Sequence, residues 1–255
     1  MNAGVDSRAT PEEALAMQRA ELAKLESRLA DRELFLASLR AELASFEGRY
    51  LREVGGLYAE LDEWLARMAE LTAEMIGTEE SKTVASEARS QAEDTFAAAH
   101  GEAARMEQFH PQPQLKKLFH MVCRQVHPDR ASSERDRKIR EQLMAEANLA
   151  YKRQDAEGLR QVLESYRRHP EGVEGSGMEA ERVQRQIERI QRRLTEIERE
   201  IMELNSTEIA RMMQRVHTAL ADGRDLLDEM VRGLRLRIAT LREAYEGREA
   251  GWRVR

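Results

Sequence analysis

His120, Cys123 and His127 lie at i, i+3 and i+7 in the stretch HMVCRQVHPDR, a spacing that sets three metal-ligating side chains along one side of a helix. A structural zinc site needs four such ligands, and no fourth stands nearby. Cys123 belongs beside an apolar stripe, and His127 falls past the helix end because Pro128 cannot continue it. Metal binding is therefore not expected. The tripeptide His127-Pro128-Asp129 is the stronger candidate. Pro128 ends the helix and puts the tripeptide on a loop, where binding chemistry is often displayed. The sequence holds no glycine-rich phosphate loop, nucleophile elbow or enclosed carboxylate pair, so the chemistry is that of binding, with neither catalysis nor a cofactor expected.

Two amphipathic helices must hold this turn. Before it, Leu115, Leu118, Phe119, Val122 and Val126 make one apolar face, while Lys117, His120 and Arg124 share a stripe elsewhere. After it, Ile139, Leu143, Ala147, Ala150 and Tyr151 recur at helical spacing, so the second helix can lay its apolar side against the first. Asp155 then caps a third helix carrying Leu159, Val162, Leu163 and Tyr166. Between Gln114 and Arg168 there are 13 Lys and Arg against 8 Asp and Glu, a surplus of +5, which leaves −11 for the rest of the chain. A basic module is embedded in acidic arms.

This module resembles the J-domain of DnaJ-like co-chaperones over roughly residues 112 to 166. The segment LKKLFHMVCRQVHPDR follows the family's second-helix pattern, with Lys116 and Lys117, the aromatic Phe119, then His-Pro-Asp and a basic residue, Arg130. Ala147-Asn148-Leu149-Ala150-Tyr151 stands where the third helix of the family shows an apolar residue, Asn, any residue, Ala and Tyr. The resemblance implies docking on the ATPase domain of a DnaK-type heat-shock chaperone, with stimulation of its ATP hydrolysis. The contacting residues would be Lys116, Lys117, Arg124, His127, Pro128, Asp129 and Arg130. The family's short first helix has no counterpart, and His120 and Met121 occupy positions that are commonly basic. A unit this small has little core of its own and is expected to lean on the preceding helices.

The arms read as coiled coils. Thr10 before Pro11-Glu12-Glu13 marks a helix start, and Leu22, Leu25, Leu29, Leu36, Leu39, Leu43, Phe46 and Tyr50 follow at spacings of three and four, broken only by Arg32. A charged residue in a seam can fix register or partner choice. The rhythm slips at Val54 beside Gly55-Gly56, then resumes through Leu57, Leu61, Trp64, Met68, Leu71 and Met75, which predicts a stutter that is either a weak spot or a hinge. Gly77-Thr78 reads as a stop and restart before an Ala-rich helix over 79–107 that folds back as an antiparallel hairpin. A second seam runs through Val183, Ile187, Ile190, Leu194, Ile197, Ile201 and Leu204, and the tetrad Asn205-Ser206-Thr207-Glu208 is either a turn between helices or another stutter.

The expected architecture is thus all-α: a disordered tail over 1–10, a coiled-coil hairpin over 11–108, the J-like module over 109–169, a flexible linker over 170–178 and a second coiled coil over 179–255. With 35% charged and 5% aromatic residues the chain is poor material for one large globular core. The single cysteine excludes an intramolecular disulfide, and no apolar N-terminal segment suggests a secretory signal or membrane span, so a cytoplasmic protein is expected. The net charge of −6 argues against nucleic acid as a partner. The seams predict a homodimer, and the arms would self-associate or bring the module to a client. The competing reading is a structural scaffold whose J-like unit only packs or binds protein.

Overall fold

Elements follow from punctuation in the sequence. The structure is a computed structural model that describes residues 10–101, 108–131, 133–168 and 179–254. The expected tail through residue 9 and the linker over 170–178 lie outside the described residues, which are helical and contain no strand. Helix α1 (Pro11–Tyr50) begins at a reciprocal cap: the Glu13 amide donates to Thr10 Oγ1 at 3.2 Å, and the Thr10 amide donates to Glu13 Oε2 at 2.8 Å. The seam slip is a π-helical turn, Leu51–Gly55, which takes up the extra residue without ending the helix, and α2 (Gly56–Ile76) continues directly from it. Gly77 closes α2 at φ 74°, a left-handed conformation that suits glycine, and Thr78 caps α3 (Glu79–His100) by accepting from the Ser81 amide.

The central region supplies α4 (Pro113–Val126), a 3₁₀ turn over Pro128–Arg130, α5 (Glu134–Lys152) and α6 (Ala156–Arg167), with Ser133 and Asp155 as the caps of the last two. Beyond the linker come α7 (Glu179–Ser206), α8 (Glu208–Ala221) and α9 (Leu226–Arg253). The tetrad at 205–208 is a true helix break, with Thr207 extended at ψ 154° and capping α8 through the Ala210 amide. A second break, at Gly223 with Asp225 capping α9, separates α8 from α9. Among the described residues no helix is long and apolar enough to cross a membrane.

The helices partition into two units that cut across the boundaries expected from composition. The first takes the chain through Ala41 together with Phe109–Asn205; the second takes Glu42–Gln108 and Ser206–Arg255. Each coiled-coil arm is therefore shared between units. In the first, Arg19 pairs with Glu179, Glu33 with Arg193 and Arg40 with Glu200, each at a sequence offset of 160. A constant difference, rather than a constant sum, means that α1 and α7 run parallel. Their seams are buried at Leu29, Leu36 and Leu39 and at Val183, Ile187, Ile190, Leu194, Ile197 and Ile201, and the ion pairs set the two helices side by side within one chain. Arg32, the break in the first seam, donates to Glu198 of α7 at 2.6 Å and so fixes this register.

A second stripe on α1 serves another purpose. Ala30 and Ala41, flanked by Leu34 and Ala37, join Phe109, Leu115, Phe119, Val122, Val126, Leu143, Ala147, Tyr151, Leu159 and Val162 in one apolar core. Ser38 Oγ and Tyr151 Oη hydrogen-bond across this junction at 2.8 Å. The small core of α4, α5 and α6 is thus completed by α1. The α7 seam residues are absent from this core.

In the second unit α2 and α3 form the expected antiparallel hairpin: Thr95 donates to Asp62 at 2.7 Å, and Arg89 chelates Glu70 at 2.8 and 2.9 Å. The other side of α2 packs with α8 and α9 through Val54, Leu61, Val216, Leu227, Leu234 and Ile238.

Candidate functional site

Helices α4 and α5 are antiparallel: Phe119 lies against Tyr151 with ring centroids 4.4 Å apart, and Gln125 meets Arg140 near the turn. Arg140 of α5 is buried, an unusual place for a guanidinium, and every direction of it is used. Its Nε donates to both oxygens of Asp136 at 2.9 Å, Nη1 to the Gln125 carbonyl at 2.8 Å and to the His127 carbonyl at 3.4 Å, and Nη2 to Tyr166 Oη at 2.5 Å. The guanidinium thereby collects carbonyls left open at the C-terminal end of α4 and braces the His-Pro-Asp turn from beneath.

The turn is built around His127. Its Nδ1 accepts the Asp129 amide at 3.1 Å, which leaves the ring proton on Nε2, and Nε2–H donates to Glu33 Oε1 of α1 at 3.1 Å. The imidazole is only 3% exposed, so the first residue of the tripeptide faces the molecule's own interior. Arg193 of α7 donates to the same Glu33 oxygen at 2.8 Å and, through Nη1, to Glu200 at 2.9 Å. Burial alone would raise the pKa of Glu33, but the His127 hydrogen bond and the charge of Arg193 outweigh it and hold the carboxyl below its ordinary range.

The remaining residues of the turn are partly buried. Arg130 Nε donates to Glu26 of α1 at 2.8 Å. From α7, Arg189 Nη2 donates to the Ala131 carbonyl at 3.2 Å and Gln186 Nε2 to the Arg130 carbonyl at 3.5 Å. The Asp129 side chain keeps 16% of its exposure; burial raises its pKa above the usual value, opposed by the charges of Arg189, Arg193 and Arg137. Burial also pushes the Cys123 thiol well up, consistent with a small apolar side chain in the core.

The seven residues read from the sequence as a docking set are therefore divided. Lys116, Lys117 and Arg124 are exposed on the outer side of α4, lining with Asp31, Leu34, His120 and Met121 a shallow groove of about 470 Å³. His120 Nε2 lies 3.1 Å from Asp31, so the stripe is thinned further by a local acid. His127, Pro128, Asp129 and Arg130 sit beside α1 and α7. Sequence reasoning passed over Glu26, Glu33, Gln186, Arg189 and Arg193, which hold the turn, and the only available signal was their place next to the two seams. Among the described residues no group of three or more His, Cys, Asp and Glu is arranged to hold a metal ion. Comparison with protein-family models, with curated proteins and with solved structures gave no match to this chain.

Proposed function

We propose that this chain is a J-type co-chaperone of the cytoplasm that docks on a DnaK-type ATPase chaperone through the His127-Pro128-Asp129 turn and the basic side of α4. The observation that carries the reading is the joint placement of these groups. An HPD turn links two antiparallel helices with a shared aromatic core, and Lys116, Lys117 and Arg124 stand open to solvent along the helix that leads into it. Exposed cations of this kind accelerate encounter with an acidic surface, and a turn carboxylate can then receive an arginine. The arms would bring the module to a client. The test is ATP hydrolysis by a DnaK-type chaperone in the presence of the full-length chain. Stimulation by the wild type, lost with Asp129→Asn and weakened by Lys116→Ala/Lys117→Ala more strongly at low salt, supports the reading.

A second reading, a coiled-coil scaffold with a J-like unit used for packing, is favoured by one observation, the burial of His127 against Glu33. On that reading the turn is a structural fitting. Absence of stimulation by the wild type and by variants with an uncovered turn supports the scaffold.

A further inference from the structure

We propose that α7, paired in parallel with α1, is an autoinhibitory latch: it occupies the His-Pro-Asp turn intramolecularly and must move before the turn can dock on a chaperone. The inference rests on the co-chaperone reading and adds to it a closed resting state.

The argument is one of mutual exclusion. Docking requires an incoming cation at Asp129 and access to the turn, but guanidinium groups of this chain already stand against the turn. Arg189 reaches the Ala131 carbonyl at 3.2 Å, Arg193 reaches Glu33 at 2.8 Å, and both bear on the Asp129 carboxylate. On the other flank Glu26 holds Arg130, a residue of the proposed docking set. Own and foreign arginines cannot fill one site together, so docking and latching compete, and apparent affinity falls by the fraction of molecules that are closed.

The contact also has the character of one that opens. A permanently packed interior satisfies its polar groups. Here the Arg189 Nε–H is buried and finds no acceptor among the described residues, and Asp129 is held in a site that disfavours its charge. Both unfavourable features lie at the α7 contact. By contrast, the core of α4, α5 and α6 includes no α7 side chain, so α7 can leave without dismantling the unit that docks.

The test uses the full-length chain with two α7 seam changes, Ile190→Asp/Ile197→Asp. Hydrogen exchange is followed at the Asp129, Arg130 and Ala131 amides and in α4–α6, alongside chaperone ATPase stimulation. A second, milder opening is Arg19→Glu/Arg32→Glu, with closure restored by adding Glu179→Arg/Glu198→Arg. The latch predicts faster exchange in the turn, retained protection in α4–α6 and stimulation about tenfold above wild type, reversed in the charge-swapped variant. Turn exchange that is unchanged in the opened variants overturns the latch. Equal stimulation by wild type and opened variants also overturns it while leaving the co-chaperone reading intact. An uncovered turn on an intact α4–α6 core that still gives no stimulation overturns both, because there is then no docking to inhibit.

Discussion

The guanidinium of Arg193 and the imidazole of His127 meet on one atom, Oε1 of Glu33, at 2.8 and 3.1 Å. Three helices or their ends, α1, α4 and α7, are joined at that oxygen. Because the carboxylate is buried, removing it leaves the His127 ring without its acceptor and a guanidinium that is only a quarter exposed with its partner Glu200 but without its buried counter-ion. Glu33→Ala is expected to destabilise the first unit by about 3 kcal/mol, the usual consequence of breaking a buried pair, measured by urea unfolding of the full chain. Glu33→Gln, which keeps an acceptor oxygen, should cost less.

The same carboxyl sets an acid limit. Its folded pKa lies below its ordinary value, so the stability it contributes is fully present above that ordinary range and is lost as pH falls through the folded pKa. The groups facing it are His127 at the end of α4 and Arg193 of α7, the latter shared with Glu200. Thermal melts of wild type should fall on acidification below the usual carboxylate range, and Glu33→Gln should flatten that fall. An unchanged acid profile in the variant would remove Glu33 from this role.

Asp129 has the opposite sign. Its folded pKa is raised by burial, so the closed state favours its protonated form and gains stability below the ordinary pKa that it loses as pH rises through the folded one. At neutral pH the ionised side chain therefore works against the closed unit. Asp129→Asn is expected to raise the melting temperature and, on the proposed co-chaperone function, to abolish chaperone stimulation. A lower melting temperature would show that the arginines nearby are worth more than burial costs.

The junction between α1 and the J-like core can be measured through Ser38 and Tyr151, whose hydroxyls lie 2.8 Å apart. A double-mutant cycle of Ser38→Ala and Tyr151→Phe should give a coupling of about 1 kcal/mol, the ordinary net worth of such a hydrogen bond. Zero coupling would argue that α1 is not fixed on this core.

The paired glycines at the π turn should behave differently from each other. A methyl group at Gly56 meets nothing within 4 Å, so Gly56→Ala is expected to stabilise the second unit by about 0.5–1 kcal/mol through lower chain entropy. At Gly55 a Cβ would stand 3.2 Å from Leu51 Cδ2 and 3.7 Å from Ala99 Cβ, so Gly55→Ala should gain less. Chemical unfolding of the two variants side by side decides the matter.

Local features of this chain were legible because their causes are local. Thr10, Thr78 and Asp155 cap helices because a short oxygen-bearing side chain stands before each helical run, and the slip at Val54 appeared as a π turn because the seam itself records the extra residue. The turn at 222–225 carries the same kind of signal, glycine followed by a capping aspartate. The choice of partner for each seam was not legible. Spacing of three and four describes a face that wants covering, and α7 of the same chain meets that need as well as a second copy would. Glu33 and Arg193 are two charges among 88, and nothing in their neighbourhoods along the chain marks them as meeting 160 residues apart.

The parallel course of α1 and α7 makes the closure a matter of angular phase. Deleting one residue within α7, between Arg189 and Arg193, would rotate one part of the helix against the other by about 100°. Arg189 and Arg193 could not then both face their present targets, though every residue of the turn was untouched. Control over the turn is thus written in the winding of a helix distant from it in sequence.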